Sequence, residues 1–331
     1  MRKFLFAVFF FSLILSFQSC KKNTIEFTMS EPNPDDSISA RVDMAFIQKV
    51  EELSNGKIKI NLFTGGKLGD NVQVIQYMTE QKKGIHLARI SPASLVTYNC
   101  KKSELLDIPY TFANREHFWT FANSDIAQKI LNEPYEKQIG VKGLFYMEEG
   151  FRHFFSTREL ASIEDFKGRK IRSAGNTVMA DIITCLGGTQ ISVGFANIYS
   201  ALQTGIVDIA EQPVVNYLSN NFHKVAPFMI MDGHQMGIGE VVISSSAWDN
   251  LSPKNKEILI KAGKYAGDFC KSISEEAEQN AKKQLEEQGA KFTSVESITP
   301  WQKACADVIN RALTSDNNQI ELYGEIITLA Y

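Results

Sequence analysis

From Ile25 onward the chain alternates between two hydrophobic periods. Ile25–Met29 (IEFTM) and Lys57–Phe63 (KIKINLF) carry apolar residues at every second position, the period of a strand with one buried face. Between them Val42, Phe46, Val50 and Leu53 form an apolar stripe, and Asn55-Gly56 stop a helix predicted from about Ser37 to Leu53. A second helix is predicted from Asn71 to Gln81, with Val74, Ile75 and Met78 as its apolar side, and Ile85–Ile90 is the next strand. A βαβαβ order of this kind argues for a mostly parallel sheet with covering helices.

The pattern continues through an aromatic-rich helical region around His117–Leu131 to a strand at Val141–Met147. Glu148-Glu149-Gly150 interrupts the apolar run, and a crossing between two lobes is expected there, with Phe151–Ser156 as the first strand of the second lobe. Lys167–Pro213 then packs strand, helix, strand, helix and strand into one stretch, with the last strand expected at Ile206–Ala210. Beyond it come a helical run to Asn221, an extended segment His223–Met231, and a strand Glu240–Ser245 that returns to the first lobe. Ser252-Pro253 is a strong helix start, a serine cap with proline at the first position, and opens a polar helical tract to about Gln288. Thr299-Pro300 repeats the signal for the last helices. The expected fold class is α/β: two lobes joined by a β-strand hinge, with one long helix spanning both. The expected division is residues 27–149 with 238–277 for lobe 1, and 150–237 with 278–331 for lobe 2.

Charge and cysteine content narrow the function. The 331 residues carry a formal charge of -3, with Lys and Glu interleaved as on solvated helix faces. No basic run suggests a nucleic-acid partner. The N-terminus is set apart from the fold. Arg2 and Lys3 precede an apolar run, Phe4–Phe17, broken by Ser12 and Ser16 alone. That is short for a spanning helix and fits an export signal. Cys20 follows it directly, with Lys21 and Lys22 behind. The arrangement resembles a bacterial lipoprotein signal, in which residues 1–20 end at a lipidated Cys20 and residues 21–26 form a tether; a plain secretory signal with an incidental cysteine is the alternative. The other cysteines, Cys100, Cys185, Cys270 and Cys305, lie far apart without a CxxC, so zinc or redox use is not expected.

The chemistry-bearing motifs of common enzymes are missing. There is no GxSxG and no HExxH; Gly65-Gly66-Lys67 lacks the rest of a phosphate loop, and Gly237-Ile238-Gly239 lacks the third glycine of a dinucleotide fingerprint. The five histidines have no ligand spacing, so neither metal nor cofactor is expected. One stretch stands out. Arg172 closes a strand, Ala174-Gly175 turn, and Asn176 can cap a helix from Thr177 to Leu186. Ligands of open α/β sheets gather at the carboxyl ends of strands. A guanidinium there is a planar two-pronged donor suited to a carboxylate. Its alternative use is a structural ion pair across the lobe. Arg152 is a second candidate cation, Phe195 a candidate wall for one face of a ligand, and Glu211-Gln212 again follow a strand's carboxyl end.

These residues carry a resemblance to a family. Asp165-Phe166-Lys167-Gly168-Arg169-Lys170-Ile171-Arg172, Gly187-Gly188 and Tyr199-Ser200-Ala201-Leu202-Gln203-Thr204-Gly205-Ile206-Val207-Asp208 resemble the signature of the solute-binding proteins of TRAP transporters, the DctP type. Leu68-Gly69, Ile108-Pro109-Tyr110 and Trp248–Pro253 follow in the family's order. The resemblance implies a periplasmic-binding-protein-like fold, Arg172 as the clamp of a ligand carboxylate, Arg152 beside it and Phe195 stacking on the ligand. Gln212, Ile209 and Thr189-Gln190-Ile191 depart from the usual pattern and bear on which acid is bound. Leu87–Ser91 and the spacing of Glu211, His223, His234 and Glu240 resemble the branch that binds sugar acids such as glucuronate and galacturonate. This implies Arg89, Glu31, Glu211, His234 and Glu240 as partners of ligand hydroxyls. A C4-dicarboxylate is the next candidate. The resemblance also implies delivery to the small and large membrane subunits of a TRAP permease. A sensor of the same fold is the alternative, followed by a two-domain sugar-acid enzyme, for which no base can be nominated.

Overall fold

A computed structural model describes residues 24–175, 177–313 and 317–330 of the chain. The first half builds β1 (Ile25–Ser30), α1 (Ile38–Leu53), β2 (Ile58–Phe63), α2 (Asn71–Thr79) and β3 (Leu87–Ile90). Short α3 (Ala93–Val96) and α4 (Lys101–Glu104) lead to α5 (Arg115–Ala122), α6 (Asp125–Glu136) and the long β4 (Val141–Ser156). The second half runs β5 (Lys170–Ser173), α7 (Thr177–Cys185), β6 (Thr189–Ser192), α8 (Ile198–Gln203), β7 (Ile209–Pro213), α9 (Val214–Ser219) and β8 (Phe228–Ser244). It closes with α10 (Ser245–Asp249), α11 (Pro253–Glu287), β9 (Lys291–Ser294), α12 (Thr299–Ala304), α13 (Ala306–Leu313) and α14 (Asn317–Thr328). Two helix starts read from sequence hold locally: Ser37 and Ser252 cap α1 and α11 through their side chains, whereas Thr299 lies inside α12, which has no side-chain cap.

The strands form one sheet in the order β2-β1-β3-β8-β4-β7-β5-β6, with β9 beside β8. β1 pairs in parallel with β2 and β3, and β5 in parallel with β6 and β7. Only the central pair breaks the pattern: β4 and β8 run antiparallel to each other and to their neighbours β7 and β3. These two strands are 16 and 17 residues long and are shared by both halves.

This corrects the sequence reading, which broke each of them in two. The Glu148-Glu149-Gly150 interruption lies inside β4 as an irregularity in its register with β8 between Glu148 and Phe151. Gly150 sits at φ +90°, a region open to glycine and strained for other residues. The two glutamates are tolerated because each is paired with a cation: Glu148 with Arg115 of α5, while also accepting from Ser274 Oγ at 2.6 Å, and Glu149 with Arg89 at 3.0 Å. β7 also differs, starting and ending three residues beyond the stretch expected, so Glu211 and Gln212 lie in the strand.

Two large hydrophobic cores lie on either side of the crossing. Phe46, Phe118, Phe121, Phe145 and Leu259 belong to the first. Phe155, Tyr217, Phe222 and Leu285 form part of the packing on the other side, continued by Phe154, Phe166, Ile182 and Trp301. The long helix α11 joins both: Leu259, Ala262 and Cys270 are buried in the first core, Ala281 and Leu285 in the second. The chain's last helix departs from the expected boundary. Leu322 and Ile326 of α14 pack into the first core, and the Ile326 carbonyl lies 2.8 Å from His117 Nε2.

Candidate functional site

The two halves enclose a cleft of about 440 Å³, within the usual range of small-molecule sites. Its walls are strand ends. Pro32-Asn33-Pro34 follow β1, Gly65-Gly66 follow β2 and Ser91-Pro92 follow β3 on one side; Ala174-Gly175 follow β5, and Gly194-Phe195 follow β6 on the other. This is where open parallel sheets place ligands, because loops diverge there. The floor comes from the shared strands: Glu149 and Arg152 of β4, and Gln235, Met236 and Ile238 of β8.

Arg172, at the end of β5, is 3% exposed and lines the cleft. Its Nε donates to the Val193 carbonyl at 2.9 Å, which fixes the guanidinium plane. Among the described residues its terminal nitrogens donate to no protein group, and Glu211 Oε1 lies 3.7 Å from Nη1, beyond hydrogen-bond reach. Burial pushes Arg172 down to about 10; Glu211 pulls against this, and Arg152 adds to it. The group is a desolvated cation held in place with its donors unspent.

Glu211 gathers the charges around it. Arg152 grips it with Nε and with Nη2, the latter at 2.9 Å from Oε1. His234 Nε2 stands 3.8 Å from Oε2. Burial alone raises the Glu211 carboxyl, but Arg152 and His234 reverse the sign and hold it down at about 2. His234 is itself oriented by Asp232, with Nδ1 2.6 Å from Oδ2, and it stacks on Phe154 at 4.3 Å between ring centroids. Burial lowers His234, while Asp232 and Glu211 outweigh burial and lift it to about 9. At neutral pH it is a buried cation behind Glu211.

The first half contributes a third arginine in a different state. Arg89, at the end of β3, is 5% exposed. Glu31 takes its Nε and, at 2.7 Å, its Nη2; Glu149 takes Nη1 at 3.0 Å. All its nitrogens are engaged. Glu149 accepts in addition from Ser39 Oγ at 2.5 Å and from Asn216 Nδ2 at 2.9 Å. Asp43 completes this group: it is fully buried, neither oxygen finds a hydrogen-bond partner, and burial followed by the nearby Glu31 charge raises it well above the usual carboxylate range.

The candidates read from sequence therefore fall into sets. Arg172, Arg152, Phe195, Glu211, Gln212 and Arg89 all line the cleft. Phe195 is half-buried and meets Phe222 edge to face at 6.2 Å. Gln212 is buried, and among the described residues its amide bonds to no other side chain. Glu31 and His234 do not line the cleft; they sit behind Arg89 and Glu211 and hold them. Glu240 is not brought to the cleft either. It is fully buried under β4, where a side chain at Gly143 would stand 2.5 Å from its Oε1, and neither oxygen has a partner. Parity along a strand, taken from motif spacing, misdirected it. Asn176 and Cys20 lie outside the described residues.

Asn33, Asn216 and Asn220 are among the polar residues of the cleft that were not nominated, as are Asp107 and Gln235. Asn216 and Asn220 fell within the helical run read to Asn221. Asn216 and Asn220 are four residues apart and so share one face of the chain's turn, which is a signal that could have been read. Asn220 Nδ2 reaches Asn33 Oδ1 at 3.4 Å and links the two sides. Among the described residues no group of three or more histidine, cysteine or acidic side chains could hold a metal, and no helix is long and apolar enough to cross a membrane.

Comparison with known proteins follows the same geometry. Residues 29–316 match the family described as DctP, bacterial extracellular solute-binding protein, family 7. The sialic acid-binding periplasmic protein SiaP of Vibrio cholerae is 31% identical over 219 residues, 66% of this chain and 67% of its own. Among solved structures, a TRAP periplasmic solute-binding protein from Pseudomonas putida F1 with bound D-glucuronate is 25% identical, at a TM-score of 0.86 over 91% of this chain and 96% of its own. One from Polaromonas sp. JS666 bound to D-erythronate is also 25% identical, at a TM-score of 0.86 over 92% and 98%.

Proposed function

The chain belongs to bacterial extracellular solute-binding protein family 7, and we propose that its cleft captures one small carboxylic acid and releases it unchanged. The observation that carries this is Arg172: a buried cation at a strand end, oriented by Val193, whose terminal nitrogens make no hydrogen bond among the described residues and have Glu211 no nearer than 3.7 Å. A ligand carboxylate is the complement. Each charge-assisted hydrogen bond in such a pair contributes roughly 1.5–3 kcal/mol. A ligand without the carboxylate would leave the desolvated guanidinium unpaired, which is how the site prefers acids. Arg152 supports the clamp indirectly by holding Glu211, and Phe195 supplies an apolar face.

Sugar acids are the favoured ligand class, supported by the D-glucuronate and D-erythronate held by the two similar structures. Binding without turnover is supported by the state of the titratable groups. Glu211, Glu149 and Arg89 are each tied into ion pairs, so none of these three is a free group beside Arg172. The lobes are taken as residues 27–149 with 238–277, and 150–237 with the chain from 278 to α13; α14 is assigned to the first. Closure about β4 and β8 would bury the ion pair. The loaded form would pass its ligand to the membrane subunits of a TRAP permease, with the protein held at the membrane through a lipid on Cys20.

The test is a thermal-shift screen of carboxylates on the mature protein, since a ligand that binds only the folded state raises the melting point. Sugar acids are expected to give the hits. Arg172→Ala is expected to lose them, by about 100-fold or more in Kd, with the fold retained by circular dichroism. Full affinity in that variant would sink the assignment.

A further inference from the structure

We infer that the cleft is charge-matched to a single carboxylate and rejects a second, so that its ligand is a polyhydroxy monocarboxylate and not a dicarboxylate. The inference rests on Arg172 as the carboxylate partner and goes on to the rest of the ligand. The cations that line the cleft are Arg89, Arg152 and Arg172. Arg89 is fully engaged by Glu31 and Glu149, and Arg152 is committed through two nitrogens to Glu211. Arg172 shares that same acid, with Glu211 Oε1 3.7 Å from its Nη1, so two guanidiniums face one carboxylate and one positive charge is in excess. A second carboxylate would enter a desolvated site with no cation left to meet it.

The wall formed by Glu149 and Asn216 sharpens the point. Asn216 lines the cleft at 2% exposure. Its Nδ2 gives a hydrogen bond to Glu149 Oε2 at 2.9 Å, while its Oδ1 accepts none. The orientation of the amide follows from the chemistry: a carboxylate must face the NH2 side, so the orphaned atom is the acceptor. Beside it, Glu149 is itself an anion. This wall can be satisfied only by a donor. A hydroxyl has a proton to give, and an ionised carboxylate has none. Asn216 thereby becomes a specificity-determining residue that selects hydroxyl over carboxylate at this end of the ligand.

Calorimetry on matched pairs tests this in the unaltered protein at pH 7.5. Each pair keeps the open carbon chain and its secondary hydroxyls and replaces one terminal CH2OH by a carboxylate: D-erythronate and meso-tartrate, D-gluconate and D-glucarate, D-galactonate and galactarate, with succinate and malate added. For any monoacid that binds, its diacid is expected to bind at least 30-fold more weakly. A diacid as tight as its partner, or a C4-dicarboxylate tighter than every monoacid, overturns the inference. Asn216→Lys supplies a cation to the wall and is expected to shift the preference toward the diacid by at least tenfold. A folded variant with an unchanged preference removes Asn216 from the account, and the wild-type pairs decide whether or not that variant folds. Arg172→Ala separates the two levels. If mono- and diacids bind equally and both are lost in that variant, capture stands and charge matching falls. If no acid of either series binds, capture itself falls.

Discussion

Two buried arginines face one cleft from opposite sides, and they are not equivalent. Both end a strand, both are almost wholly desolvated and both stand where a parallel sheet gathers ligands. Arg89 has Glu31 on two nitrogens and Glu149 on the third. Arg172 has a carbonyl on Nε and an acid 3.7 Å away. The difference teaches that a binding cation is recognised by its unspent donors. Position and residue type do not separate a clamp from a rivet.

The largest effect that would break the comparison is on stability. Arg89→Ala leaves Glu31, Glu149 and the already raised Asp43 facing one another without a cation. Removing one partner of a buried pair costs roughly 3–5 kcal/mol. A fall of several degrees in the thermal midpoint of the ligand-free protein is therefore expected, whereas Arg172→Ala removes an under-paired buried charge and should leave that midpoint nearly unchanged. An Arg89→Ala protein with wild-type stability and lost ligand affinity would make the two arginines alike and end the distinction.

That distinction marks how far the sequence could be read. Arg172, Arg152 and Phe195 were legible because their places follow from local order: a strand, its end, a glycine turn, a helix. The alternating lobes and the long helix were legible for the same reason. The saturation of Arg89 was not. Its partner Glu31 lies 58 residues away in sequence, and the loop after β1 and the end of β3 meet only through parallel pairing. The continuity of β4 was hidden by Glu148-Glu149-Gly150, which reads as a break until Arg115 and Arg89 are seen to neutralise the acids and Ser274 to donate to Glu148. Glu240 was placed in the site by motif spacing, but the face on which it is buried depends on which neighbours flank β8. The spacing of Asn216 and Asn220 could place them on one face, but the role of Asn216 was hidden, since it depends on Glu149 occupying one end of its amide.

The same contrast recurs among the carboxylates, with a smaller effect. Glu211 is ringed by cations and held at about 2, whereas Glu240 is buried without a partner, and desolvation followed by the nearby Glu133 charge pushes it up to about 8. The folded chain thus keeps a proton that the unfolded chain releases near the ordinary glutamate value of 4.5. Stability from this group is full below that value and is lost as pH rises through about 8. Glu240→Gln removes the titration. Relative to wild type it should be near neutral at pH 5 and should stabilise the fold by about 1–3 kcal/mol at pH 9, read as a higher thermal midpoint. His234 and Asp107 titrate in the same window but cancel in the difference between the two proteins. A gap between variant and wild type that is equal at pH 5 and pH 9 would show that Glu240 ionises freely in the fold.

The smallest expected effect carries the contrast to the aromatic side chains. Phe195 and Phe222 both line the cleft and touch each other edge to face. Phe222 is 3% exposed and stacks on Phe155 in the second core, 5.5 Å between centroids and 14° between planes. Phe195 is half-buried, and among the described residues Phe222 is the one ring it meets. By the logic of the two arginines, Phe222 is committed to the fold and Phe195 is available to a ligand. An aromatic face against a sugar's apolar C–H surface contributes about 1 kcal/mol beyond simple burial. Phe195→Leu keeps the volume and apolar character but removes the flat face. A three- to tenfold rise in Kd for the preferred acid is expected, with the melting point of the ligand-free protein unchanged. Should Phe195→Leu instead lower that melting point and spare the affinity, Phe195 would belong with Phe222 and Arg89, and the free side of the cleft would reduce to Arg172 and Gln212.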